Sequence, residues 1–197
     1  MTALVTAVAC AAFDDVTDTA VLAVREVVAR TGVRLPTRPR HRPHVTLAAV
    51  RVHPDQLDAV AAQVRAAVDG AAAFAVDLDR VGGFSRAGAL WLGPAAAADL
   101  STLQQSVHRV FGAGPWPTAF DGRSEPATWV PHVTLATRLD RAALDRAQAA
   151  VRARYDPVRA TVAGVALVVV GGAGDAGLVP FGDARPSVWP APAVASK

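Results

Sequence analysis

The string Pro43-His44-Val45-Thr46-Leu47 returns unchanged as Pro131-His132-Val133-Thr134-Leu135, about half the chain later. Side chains alternate faces along a strand, so in each copy the histidine and threonine share one face and the valine and leucine the other. Each segment therefore offers an imidazole and a hydroxyl to a cleft, and two apolar groups to a core. Proline is tolerated at the first residue of a strand, so it marks the start of both. The flanking pattern repeats too: a helix, a long loop, the Pro-His strand and another helix. The chain carries an internal duplication of secondary structure in which one short motif survives as sequence.

Hydrophobic spacing supplies the other elements. Residues 3–9 read as a strand, and Val21, Val24, Val27 and Val28 predict a helix from about Asp18 to Arg30, with Gly32 as its C-cap. His44 to Val52 reads as a strand, and Pro54 opens a helix through Asp69 that Gly70 closes. Phe74–Leu78 and Ala89–Leu92 read as strands joined by a glycine-containing turn, followed by a helix from Ala97 to Phe111. After the Gly/Pro-rich stretch 112–131 and the second motif, Asp140 caps a helix to about Arg154, and Thr161–Val170 is a β-branched strand. Residues 1–182 are expected to form one domain, with 183–197 a loose Pro/Ala-rich tail.

Composition narrows the class. A chain of 197 residues, 52% apolar and 19% charged, is globular and can bury a sizeable core. A formal charge of +3 with a sequence pI near 9.9 tolerates polyanions without arguing for nucleic acid. Cys10 is the single cysteine, which excludes an intrachain disulfide or a cysteine-rich metal site. Met1 to Phe13 has no basic n-region and only a short apolar run, so it reads as an opening strand rather than a leader. No stretch approaches the roughly 18 apolar residues of a membrane span. A cytoplasmic, monomeric protein is the expectation.

Two histidines facing one site can divide acid and base duties, because imidazole titrates near neutrality. The neutral ring takes a proton from an attacking water or hydroxyl, and the imidazolium gives one to the departing oxygen. Thr46 and Thr134 can donate to phosphoryl oxygens as charge builds there. Four residues in two identical pairs suffice, so no metal or other cofactor is expected. A cluster of His41, His44 and His53 fits no standard zinc spacing.

A pair of His-x-Thr-Leu motifs in two matching halves resembles the two-histidine phosphoesterase superfamily, in particular its bacterial branch of RNA 2′,3′-cyclic phosphodiesterases and 2′–5′ RNA ligases. The likeness runs from about residue 3 to 170 and is specific at the motifs; Ala89-Leu90-Trp91-Leu92-Gly93, preceded by Phe84 and Arg86, also resembles that branch. The resemblance implies an α+β, bilobal duplicated fold, two pseudo-symmetric halves of antiparallel sheet with outer helices around a central groove. It also implies hydrolysis of 2′,3′-cyclic phosphates of RNA ends or nucleotides, with weak 2′–5′ ligation as the reverse reaction. Small cyclic phosphates such as ADP-ribose cyclic phosphate, or a non-catalytic RNA-end or nucleotide-binding role, are the alternatives. Members often carry an arginine two residues after the second motif's leucine; here Thr137 stands there and Arg138 follows, which continued strand alternation would turn to the opposite face.

Other candidates concern substrate binding. Arg30, Arg34, Arg38, Arg40 and Arg42 lead to His44 without an intervening acid. Such runs are usually solvated, yet Arg38, Arg40 and Arg42 are placed to hold the phosphates of an RNA 3′ end or a small cyclic nucleotide. Trp116, Phe120 and Trp129 in the long loop, and Phe84, could stack on a base or plug a core. His108 reads as a surface residue of its helix.

Overall fold

The computed structural model describes residues 3–35, 41–120 and 124–170, with the backbone of 177–180. The elements run β1 (Val5–Phe13), α1 (Asp15–Ala29), β2 (His44–Val52), a 3-10 turn (Pro54–Gln56), α2 (Leu57–Ala67), β3 (Phe74–Leu78), β4 (Arg80–Phe84), β5 (Ala89–Gly93), α3 (Ala98–Ala113), β6 (Val133–Ala136), α4 (Arg141–Arg152), β7 (Val158–Val170) and β8 (Gly177–Pro180). The strands form one antiparallel α+β sheet in the order β3-β7-β1-β2-β6-β5-β4, with β8 on β7.

Strands β2 and β6, the two motif strands, meet at the middle through a single paired position, Val45 opposite Val133. On one side of this seam stand β1, β7 and β3; on the other stand β5 and β4. Helices α1 and α4 pack together, as do α2 and α3. That arrangement has the expected pseudo-twofold character, but the spatial halves are not the sequence halves. The C-terminal strand β7 crosses back to pair with β1 from Thr6↔Val170 to Phe13↔Val162. Its run of β-branched residues is buried almost throughout, as befits a strand covered on both faces.

The structure corrects three local expectations. The first helix begins at Asp15, because the Asp14 carboxylate accepts from the Thr17 N–H at 2.8 Å and caps it, with Asp15 and Asp18 complementing the positive end of the dipole. The Asp140 cap falls as predicted, accepting from the Ala143 N–H at 2.7 Å. Between Phe74–Leu78 and Ala89–Gly93 there is a further strand, β4, rather than a turn. Its Gly82-Gly83 pair disguises it, since glycine weakens a strand; the structural reason for Gly82 is Trp91, whose ring lies where a Cβ would be. Residue Arg138 does not obey strand alternation, because β6 has ended at Ala136 and Arg138 turns to a φ of 60°.

The long loop after α3 is fastened along β2. The Ala119 N–H donates to Ala49 O and the Arg51 N–H to Pro117 O, each at 2.8 Å. The buried Gln104 amide, from α3, donates to Ser124 O at 2.6 Å and to Leu47 O at 3.3 Å, tying the loop to the strand that bears His44. Trp116 plugs the core at 7% exposure, and Phe120 is exposed. Residues 183–197 lie outside the described residues. Among the described residues no helix is long and apolar enough to cross a membrane.

Candidate active site

The seam builds the site. In an antiparallel pair centred on Val45 and Val133, the flanking positions set His44 against Thr134 and Thr46 against His132. All four then lie on the face opposite Val45, Leu47, Val133 and Leu135, which are buried at 1% exposure or less. The duplicated motif is therefore self-complementary: two copies paired antiparallel place two imidazoles and two hydroxyls diagonally on one surface. His44, Thr46 and His132 are half-buried and Thr134 is exposed.

Both rings are oriented by the main chain. His44 Nδ1 lies 2.7 Å from Arg42 O, and His132 Nδ1 lies 2.8 Å from Val130 O. A carbonyl can only accept, so Nδ1 carries the hydrogen in each ring. Burial holds the His132 imidazole below the ordinary histidine range, opposed by the bond to Val130 O and reinforced by the charge of His44.

The surroundings of the two rings differ. Phe84 meets His132 edge to face at 4.9 Å and Trp91 at 5.4 Å, and Trp91 lies 6.2 Å from His132. On the other side, a pocket of about 210 Å³ is lined by His44 and Thr134, by Thr137 just beyond β6, and by Arg25, Arg34 and Arg42. The Trp129 indole N–H donates to Thr46 O at 3.0 Å while its ring packs on the core, so it braces the first motif as a plug.

The arginines divide. Arg38 and Arg40 lie outside the described residues. Arg42 reaches the pocket edge, but its guanidinium pairs with Asp18 and, at 2.5 Å, with Asp15, both on α1. These pairs tie the loop before β2 to the first helix, while Arg42 also lines the pocket. Burial pushes the Asp18 carboxyl up to about 6 against the pull of Arg42, which leaves it ionised at neutral pH. Arg86 is exposed in the turn after β4, and Arg138 is exposed past β6. His108 is half-buried and faces Glu125 at 3.5 Å rather than standing in solvent. His53 begins the 3-10 turn beyond the far end of β2, away from His44.

Two residues of this region had no clear mark in the sequence. Arg25 sits among the valines of α1, where its spacing reads as an ordinary polar face. Trp91 was legible only as part of the Ala89–Gly93 strand; nothing local says that it leans on His132.

Residues 14–174 match the family model described as the 2′-5′ RNA ligase superfamily. No curated protein sequence matches the chain. Among solved structures it is similar to E. coli LigT complexed with 3′-AMP, at 15% identity and a TM-score of 0.57 over 96% of this chain and 95% of that one. The crystal structure of a phosphoesterase is similar at 17% identity and a TM-score of 0.52, covering 96% of this chain and 97% of that one. E. coli LigT complexed with NADP+ is similar at 17% identity and a TM-score of 0.51, covering 97% and 95%. At such identities the likeness speaks for the fold, which is the one described above.

Proposed function

The chain belongs to the 2′-5′ RNA ligase superfamily, and on that premise we propose that it is a metal-independent phosphodiesterase that hydrolyses 2′,3′-cyclic phosphates of RNA ends or nucleotides to a phosphomonoester. The observation that carries this reading is the matched setting of the two rings, each with Nδ1 bonded to a backbone carbonyl two residues upstream and each on one of two motif strands paired at Val45 and Val133. In it, His132 Nε2 takes a proton from water as the water oxygen attacks phosphorus. The bond from phosphorus to one ribose oxygen breaks, and His44 Nε2–H protonates that oxygen. The lowered affinity of His132 for a proton supports its assignment as base. Thr46 and Thr134 donate to the non-bridging oxygens. Run in reverse, the same steps would join ends by a 2′–5′ linkage.

A second reading keeps the site and takes small cyclic phosphates such as ADP-ribose cyclic phosphate. The modest pocket favours it, and relatives of this fold are complexed with 3′-AMP and with NADP+. The test is turnover of a 2′,3′-cyclic-phosphate-ended oligonucleotide and of cyclic mononucleotides in chelator, beside His44→Ala and His132→Ala. Each substitution is expected to cost roughly 10²–10⁴-fold, the usual range for lost acid–base catalysis. Preference for the oligonucleotide, falling steeply with salt, favours RNA ends. No turnover of any of them, with tight binding retained, would make the groove a binding module.

A further inference from the structure

We infer that Arg25, seconded by Arg34, forms a subsite for a second anionic group of the substrate, a phosphate flanking the one that reacts; this rests on the phosphodiester reading above. The reacting phosphoryl belongs on the seam, among two imidazoles and two hydroxyls. The pocket contains only two of those four, His44 and Thr134, and otherwise runs from the seam toward α1 and the segment after it, past Thr137 to Arg25, Arg34 and Leu35. Beside His132 the groove is bounded instead by the Phe84 and Trp91 rings. The groove is thus polarised, aromatic at one end and cationic at the other. A nucleotide lying across it with its reacting group on the seam sends its apolar part to the first end and further negative charge to the second.

The charges in the pocket carry the argument further. No carboxylate is among its lining residues. Arg42 is already engaged by Asp15 and Asp18. Arg25 is half-buried on α1 and has no ion-pair partner among the described residues. Burial alone penalises its charged form, and no neighbouring acid offsets that penalty. A guanidinium held partly dry beside an open pocket is matched by a planar, bidentate acceptor such as a phosphate. Exposed Arg34 and the Thr137 hydroxyl stand at the same opening.

The test reads binding, so it does not depend on turnover. Calorimetry compares 3′-AMP with adenosine 3′,5′-bisphosphate on the full-length protein and on Arg25→Gln, Arg25→Lys and Arg34→Gln. The bisphosphate should bind the unaltered protein roughly 10–100-fold more tightly, the range of a charge-assisted contact. Arg25→Gln should pull that ratio toward one, Arg25→Lys should restore part of it, and Arg34→Gln should lower it less. Equal affinity for the two nucleotides, no binding of either, or a ratio that survives Arg25→Gln would overturn the subsite. So would an equal loss on both ligands, which places Arg25 at the reacting phosphoryl instead. A ratio intact in a protein that turns over no cyclic phosphate would sink the reaction and leave the subsite standing; turnover with a ratio of one does the reverse.

Discussion

Replacing Gly82 by alanine tests how the aromatic wall conditions His132. Gly82 pairs with Trp91 across β4 and β5. A Cβ there would stand 2.1, 2.3 and 2.5 Å from three atoms of the Trp91 ring. Carbon atoms rest at about 3.5–4.0 Å, so the indole must retreat by more than about 1 Å. It is held by Phe84, and both rings lean on His132, so the displacement is passed on. Overpacking of this kind costs roughly 1–3 kcal/mol. At roughly 2–4 °C per kcal/mol for a chain of this size, calorimetry should show Tm lower by about 2–12 °C. Opening the wall also lets water reach the imidazole, which relieves the desolvation that holds its pKa down. An NMR titration of the His132 ring should therefore move to higher pH. Gly83→Ala is the comparison, because its Cβ would press only lightly on the flexible tip of Leu144 at 3.1 Å and meet Ala89 O at an ordinary 3.5 Å. If Gly83→Ala costs as much as Gly82→Ala, or if the His132 titration does not move, the aromatic wall does not condition His132.

Two further outcomes are expected. Arg42→Gln leaves the Asp18 carboxylate, 5% exposed, without its guanidinium, and urea unfolding should report a loss of roughly 3–5 kcal/mol, much of it recovered when Asp18→Asn is added; a loss no larger than that of an exposed pair would remove Arg42 as the tie between loop and helix. Stability should also depend on the protonation of His132. Its folded pKa lies below the ordinary histidine value of about 6.5, so on acidification below that value the unfolded chain binds a proton that the folded chain refuses, and stability falls. Urea midpoints at pH 7 and pH 5.5 should show this fall shrinking in His132→Asn. Asp18 acts with the opposite sign: its folded pKa is raised from 3.8 to about 6, so its contribution is lost as pH rises through that window.

Much of this was legible because the relevant signals are local. The alternation within Pro-His-Val-Thr-Leu specified which side chains share a face, and the two copies specified a pair of imidazoles. Asp140 announced its helix because a cap lies next to what it caps. What was hidden depends on residues far apart in sequence. The β4 strand could not be read from Arg-Val-Gly-Gly-Phe, since its glycines answer to a tryptophan across the ladder. Likewise, the burial of Arg42 against Asp18 joins residues separated by the whole loop, and periodicity assigns such an arginine to solvent. Arg25 was concealed by the opposite effect, since a helical arginine beside apolar positions has the spacing of an unremarkable surface residue. The return of β7 to β1 is a matter of topology, to which hydrophobic spacing is blind.

The acceptors that orient the two imidazoles are carbonyls of the peptide chain, each two residues upstream of the ring it holds. In a serine-protease-like triad that office falls to a carboxylate from elsewhere in the fold, which must be kept in step with the histidine by separate selection. Here the steering group is inherited with the motif, whatever side chain occupies position 42 or 130. A copied segment arrives with its tautomer already set, needing only a partner strand in antiparallel register. That makes a site of this type easy to found by duplication.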